Sequence, residues 1–227
     1  MYKRNKILAL IPARGGSKGI KLKNLIKLKK KTLIEHAINC LRKTKIVDEI
    51  VVSTDHKKIK QHVSKIKDIK ILHRPKKISG DRISDLIILK HLLQSHNCDK
   101  FNIILMIQPT SVLRKSSHVK SSIKLMLKND FDSVWSISEV TLKHHPLKQL
   151  TIQSNRLKYF NSKGKYIIAR QQLANTFIRN GAVYCFKKNY LTKATNLLSS
   201  NCGYLIINEK QISIDDPSDI DIVKKFL

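Results

Sequence analysis

Acidic side chains are scarce in this chain: 16 Asp and Glu stand against 45 Lys and Arg in 227 residues, a formal charge of +29. An excess of that size ordinarily marks a polyanionic partner, nucleic acid or an anionic membrane surface. Its distribution argues against both. Lysine is spread over nearly every segment, with one short cluster at Lys27, Lys29, Lys30 and Lys31, which describes a solvated face, so no nucleic acid and no membrane is expected as a partner. Long apolar runs are missing too. The run from Ile7 to Ile11 is shorter than a signal-peptide core, and no run reaches the length that spans a bilayer, so a cytoplasmic protein is expected. Cysteine is sparse: Cys40, Cys98, Cys185 and Cys202 are far apart, with no C-x-x-C pair and no His at metal-ligand spacing. They read as reduced, structural thiols. Internal repeats, low-complexity tracts and breaks in composition are absent, so one domain over 1–227 is expected.

What is present alternates short apolar runs with helical periods, the pattern of an α/β protein with a doubly wound, mostly parallel sheet. Ile7–Ile11 reads as a buried first strand, followed by a loop to about Lys31. Thr32 and Glu35 form a capping box for a helix whose apolar face is Leu33, Ile34, Ala37, Ile38 and Leu41. Further strands are expected at Glu49–Thr54, Ile69–Leu72, Asn102–Ile107, Ser133–Ile137, Ala182–Phe186 and Tyr204–Ile207, and helices near Arg82–Ser95 and Ser117–Lys128. Residues 140–169 break the rhythm; polar and apolar residues alternate there around a turn-like Asn161-Ser162-Lys163-Gly164, which predicts a protruding hairpin suited to a subunit contact.

In doubly wound sheets the chemistry lies at the carboxyl ends of the strands, where the strand order reverses. The first strand runs into Ala13-Arg14-Gly15-Gly16-Ser17-Lys18-Gly19, then Lys23-Asn24. Three glycines let backbone N–H groups approach a phosphate, and Arg14, Lys18 and Lys23 can neutralise it. The spacing is neither a Walker loop nor a G-x-G-x-x-G turn. Arginine is informative because there are only nine. Arg14, Arg74, Arg114, Arg170 and Arg179 fall in or beside loop motifs, where a rigid bidentate fork suits phosphate, carboxylate or base edges.

From Ile11-Pro12-Ala13-Arg14-Gly15-Gly16-Ser17-Lys18-Gly19 with Lys23-Asn24 onward, the chain resembles the CMP-N-acylneuraminate synthetase family. Agreement continues in order through Val52-Ser53-Thr54-Asp55, Arg74-Pro75 before Asp81, Gln108-Pro109-Thr110-Ser111 with Arg114, His144-His145-Pro146-Leu147-Lys148, Arg170-Gln171-Gln172, Phe177, Asn180-Gly181-Ala182-Val183-Tyr184 and Ile214-Asp215. The resemblance implies a cytidylyltransferase that joins CTP to a nine-carbon 2-keto acidic sugar of sialate, legionaminate or pseudaminate type and releases pyrophosphate. It implies that Arg14, Gly15, Gly16, Ser17, Lys18 and Lys23 hold the triphosphate, that Asn24 and Arg74 read cytosine, and that Gln108, Thr110, Phe177, Asn180 and Tyr184 meet the sugar. It also implies a homodimer, in which Lys148 and Arg170 reach the neighbouring subunit's site. Mg2+ is the implied cofactor, with Asp215 as its ligand, and Arg14, Lys18, Lys23 and Asp215 as the catalytic set. Asp216 and Asp219 read as the cap and first turn of a last helix.

Two departures stand out. Members of the family often show Asp-Ile-Asp where this chain has Ser213-Ile214-Asp215, which predicts weaker metal affinity. The stretch Phe177-Ile178-Arg179-Asn180 carries its Arg one position later than some sialate-type members do. The alternatives are a 3-deoxy-manno-octulosonate cytidylyltransferase, and a degenerate basic protein that binds polyanions on the same fold.

Overall fold

The protein is described here by a computed structural model covering residue 2 and residues 4–227. Its strands, in chain order, are β1 (Ile7–Pro12), β2 (Lys27–Leu28), β3 (Lys31–Thr32), β4 (Glu49–Thr54), β5 (Lys70–His73), β6 (Ile103–Met106), β7 (Ser133–Glu139), β8 (Leu150–Gln153), β9 (Arg156–Tyr159), β10 (Phe177–Lys187) and β11 (Cys202–Ile206). The helices are α1 (Leu33–Thr44), α2 (Lys57–Val63), α3 (Asp85–Ser95), α4 (Ser116–Lys128), α5 (Lys188–Lys193) and α6 (Pro217–Lys224).

One seven-stranded sheet in the order β11-β7-β10-β6-β1-β4-β5 carries the core. All its pairings are parallel except those of β10, which runs antiparallel to β6 and β7. β1 is buried along its whole length because helices cover both faces, so the strand is apolar throughout instead of alternating. The two-residue period sorts its side chains. Ile7, Ala9 and Ile11 pack with Ile34, Ile38 and Leu41 of α1 and Ile123 and Met126 of α4. Leu8 and Leu10 face Leu89 and Leu92 of α3 and Leu191 of α5. The expected capping box is present: Thr32 Oγ1 accepts from Glu35 N, and a Glu35 carboxylate oxygen accepts from Thr32 N. Four cysteines are free. Burial pushes the Cys98 thiol up to about 11 and raises Cys185 further.

The structure moves several expected boundaries. α3 starts at Asp85, three residues after Arg82, which leaves 80–84 as a loop carrying Asp81. The short helices α2 and α5 escaped a periodicity search because each presents only one or two buried apolar residues. β10 begins at Phe177, ahead of Ala182, and its register shifts between Arg179 and Tyr184, with Gly181 at φ +70 inside the irregularity. The path of Ser213–Asp215 is not a strand, although both residues line the same cleft.

The projection at 140–169 exists, but its hairpin is β8–β9 and its turn lies at Ser154-Asn155, not at 161–164. Ser154 and Asn155 have φ 48 and φ 61, as a two-residue hairpin turn requires. Asn161 instead accepts from Lys163 N and starts a 3-10 turn over Ser162–Tyr166. His145 is buried, its Nδ1 accepting from Leu147 N and its Nε2 bonded to Ala174 O, which makes it a brace for the turn before the hairpin.

Candidate active site

Strand β1 has β4 on one side and β6 on the other, so chain order reverses between β1 and β6, and loops at their carboxyl ends part around a crevice. That crevice is a cleft of about 950 Å3. It is lined by Arg14, Ser17, Lys18, Lys23, Asn24, Arg74, Gln108, Thr110, Asn180, Tyr184 and Asp215 among the residues named from sequence. Gly15, Gly16, Phe177, Lys148 and Arg170 are outside its lining.

The first loop is held open by bonds to its own backbone. Gly15 N donates to Asp55 Oδ1 at 2.9 Å, so this N–H, expected to face phosphate, is already engaged. Gly16 has open space where a Cβ would be. Asn24 is buried and its Nδ2 donates to Arg14 O at 3.0 Å, bracing the loop with half of the amide that was expected to read a base. Gly19 is required by close approach: a Cβ there would run into the carbonyl oxygen of Asp215.

Three basic side chains of this loop reach carboxylates across the cleft. Arg14 Nη1 lies 2.5 Å from Asp81 Oδ1, and Lys18 Nζ lies 2.9 Å from Asp81 Oδ2. Lys18 and Arg14 together hold the Asp81 carboxyl below the ordinary aspartate range. Lys23 Nζ meets Asp215 Oδ1 at 2.7 Å, with the lysine mostly covered and the aspartate 70% exposed. Arg74 forms part of the floor. It is 2% exposed, its Nη2 donates to Ser53 O at 3.3 Å, and its Nε has no partner. Burial lowers its affinity for its proton, and Asp55 opposes that. A buried guanidinium that lines a cleft and has an unsatisfied N–H has spare donor capacity for an oxygen or ring nitrogen of a ligand.

The other wall is built from the 108–111 turn and β10. Arg114 is buried; its Nη1 donates to Gln108 O (3.1 Å) and Ala182 O (2.9 Å), tying turn to strand. Gln108 Nε2 donates to Asp85 Oδ2 at 3.4 Å, which turns its Oε1 toward acceptor duty. Burial raises the Asp85 pKa, against the pull of Arg179, Gln108 and Arg74. Asn180 lines the cleft, but its amide serves the strand: Oδ1 accepts from Ser136 Oγ (2.6 Å) and Ala182 N (3.1 Å), and Nδ2 donates to Ser138 Oγ (3.0 Å). Tyr184 is 4% exposed and meets Trp135 edge-on at 5.2 Å. Phe177 sits at the outer start of β10 opposite Glu139, 44% exposed, too far along the strand to line the cleft.

Among the described residues no group of three or more His, Cys, Asp or Glu could hold a metal ion. Asp215 is paired with Lys23 Nζ, and two hydroxyls share the cleft with it: Ser213 Oγ donates to Thr110 Oγ1 at 3.1 Å. An oxygen-only set with one carboxylate suits a hard cation that keeps most of its waters and takes its remaining ligands from phosphate.

Asp81, Asp85, Arg179 and Gln211 line the cleft without having been assigned a role from sequence. Asp85 fell inside the helix expected near Arg82–Ser95, and Arg179 read as a motif shifted by one. Gln211 gave no signal, since its amide atoms, buried and unpartnered, are defined by the fold alone.

Loop, floor and wall cover nearly the entire length of the chain, and the cytidylyltransferase family profile matches residues 8–214. The chain belongs to the cytidylyltransferase family. Similar to it is an N-acylneuraminate cytidylyltransferase of Streptococcus agalactiae, 29% identical over 217 residues, which are 94% of this chain and 51% of that protein. The chain thus spans about half the length of that relative. A CMP-N,N'-diacetyllegionaminic acid synthase of Legionella pneumophila is 29% identical over 227 residues, 98% of this chain and 96% of that one. Among solved structures, a CMP:2-keto-3-deoxy-manno-octonic acid synthetase complexed with CTP superposes with TM-score 0.74 at 16% identity, covering 97% of both chains. A 4-diphosphocytidyl-2C-methyl-D-erythritol synthase of Anaerococcus prevotii does so with TM-score 0.69 at 13% identity, covering 99% of both. These two likenesses establish the nucleotide-diphospho-sugar transferase fold for this cytidylyltransferase.

Proposed function

We propose that this cytidylyltransferase transfers CMP from CTP to the anomeric hydroxyl of a nine-carbon 2-keto acidic sugar. The observation that carries the reading is the two-sided cleft, with Arg14, Lys18, Lys23 and Arg74 on the side of the first loop and Gln108, Thr110 and Tyr184 on the other. The named relatives act on sugars of this class, which supports it further.

In the reaction the sugar hydroxyl oxygen bonds to the α-phosphorus, the bond from that phosphorus to the bridging oxygen breaks, pyrophosphate leaves and the hydroxyl proton is released. The protein's contribution is positioning and charge. Arg14 and Lys18 exchange Asp81 for the β- and γ-phosphates, and Lys23 stays beside the α-phosphate. Arg74 and the free half of the Asn24 amide meet the cytosine edge. Gln108 Oε1 accepts from an acylamino N–H or a hydroxyl, and Thr110 orients the ring. Asp215, assisted by the Ser213 hydroxyl, would hold Mg2+. Bound there, the ion would neutralise phosphate charge and ease loss of the hydroxyl proton.

The apolar face of the β8–β9 hairpin supports a homodimer. Ile152 stands directly opposite Leu157, and Leu150 opposite Tyr159, all exposed. Such a face calls for a cover, and a second copy would bring Lys148 and Arg170 toward its neighbour's cleft. No helix among the described residues is long and apolar enough to cross a membrane.

The test is pyrophosphate release from CTP and Mg2+ with a panel of eight- and nine-carbon 2-keto sugar acids, with Asp215→Ala as control. Release with one nine-carbon acid and its loss in the variant is the expected result. Release with the eight-carbon acid alone, or silence with CTP still bound, overturns the reading.

A further inference from the structure

We infer that Arg179 is the side chain that receives the carboxylate of the sugar acid. The inference rests on the function proposed above and assigns a residue of this chain to the acidic group of its second substrate.

The argument starts from where cationic charge is already spent. Arg14 and Lys18 share Asp81, and Lys23 is paired with Asp215. Arg74 is in the floor and bonded to Ser53 O. Arg179 also lines the cleft, its backbone paired with β7 opposite Ile137, yet among the described residues its side chain has neither a hydrogen bond nor an ion pair within 4 Å. Asp85 feels its charge without an ion pair between them and is already bonded to Gln108. An exposed guanidinium with its fork open is a ready bidentate partner for a planar carboxylate.

Its place in the sheet separates it from the phosphates. Arg179 is on β10 and the first loop leaves β1, with β6 between them. At roughly 4.8 Å per strand the two origins are about 10 Å apart, the span of a nucleotide phosphate set against a sugar. Because β10 runs antiparallel to β6, its first half rises at the end of the sheet where the cleft opens. The register shift after Arg179 does the rest. In an unbroken strand, residues 179 and 184 would point to opposite faces; the irregularity around Gly181 lets both line one cleft beside Gln108 and Ser111. Lys148 and Arg170 lie outside this cleft in their own chain, whereas Arg179 lines it directly.

The full-length enzyme is assayed by pyrophosphate release with CTP, Mg2+ and the sugar acid it uses, N-acetylneuraminate being the first probe. Arg179→Gln should raise the KM for the sugar acid by about 10- to 100-fold, the usual worth of a charge-assisted pair, and leave the KM for CTP within about twofold. Arg179→Lys should recover part of the loss. The C1 carboxamide of the same sugar should be a poor substrate for the native enzyme and no worse for Arg179→Gln than the acid is. An unchanged sugar KM, a rise confined to CTP, or a further loss on the carboxamide would overturn the assignment while leaving the cytidylyltransferase reading intact. A native enzyme that binds CTP but uses no sugar acid would remove both together. Matching melting temperatures establish that the variants are folded, and should Arg179→Gln fail to fold, the Arg179→Lys and carboxamide comparison decides alone.

Discussion

Lys23 Nζ and Asp215 Oδ1 lie 2.7 Å apart although 192 residues separate them in the chain. The pair joins the first loop to the segment that leads into α6, and the bare Gly19 beneath it lets the two backbones touch. A pair whose carboxylate is open to solvent in this way stabilises a fold by about 0–1 kcal/mol. We expect Lys23→Met and Asp215→Asn to shift the unfolding free energy by no more than about 1 kcal/mol, while turnover falls at least about 100-fold through lost transition-state charge stabilisation. Denaturant melts run beside initial rates check this; equal losses in both would mean that the pair is only structural.

Asp81 occupies Arg14 and Lys18 in the same way that a triphosphate would. Asp81→Asn should therefore free both cations and tighten CTP by a few-fold, with a steeper salt dependence of binding because more charge is left to neutralise. Calorimetric titration at two salt concentrations reads it. Weaker CTP binding in the variant would show that Asp81 positions the loop and does not compete for it.

Asp85 makes stability depend on pH with a definite sign. Burial raises its pKa in the folded state above the ordinary 3.8, so the native protein holds this proton where the unfolded chain has released it. Stability from this group is greatest at low pH and is lost as pH rises from that ordinary value through the raised one. Asp85→Asn, which keeps an acceptor for Gln108, should be at least as stable as the native protein at neutral pH, the difference closing as pH falls into the ordinary carboxylate range. Melting temperatures across that range check it; a difference that widens at low pH would refute the sign.

The hairpin face is tested by charge. Ile152 is 72% and Leu157 69% exposed, and they oppose each other across β8 and β9. Ile152→Lys with Leu157→Lys should leave the melting temperature of the sheet unchanged and convert a dimer into a monomer in sedimentation velocity. Activity should fall with the dimer, because Lys148 and Arg170 then have no neighbour to reach. A native protein that sediments as a monomer would end the proposal.

Much of the site could be read along the chain because its loops follow strands whose apolar runs are unmistakable. Arg14, Lys18, Lys23, Arg74, Gln108, Thr110 and Asp215 come together in one cleft from four separate stretches, as their motif order implied. Roles that depend on the second partner of a side chain were not legible. Asn180 looks in sequence like a substrate ligand, but Ser136, Ser138 and Ala182 consume most of its amide. Gly15 looks like a phosphate donor until Asp55 takes its N–H.

Local chemistry by itself determined the alternation of strands and helices, the Thr32 and Asp216 caps, the basic first loop and the family, because each depends on neighbours within a few residues or on motif order. Only the tertiary structure decided which charges remain unspent. Pairing of Arg14 and Lys18 with Asp81, of Lys23 with Asp215 and of Gln108 with Asp85 depends on crossovers that bring distant loops to the carboxyl ends of the central strands. Arg179 was set free by a register shift in β10, and such a shift is settled by how two strands pack, not by the residues of either one.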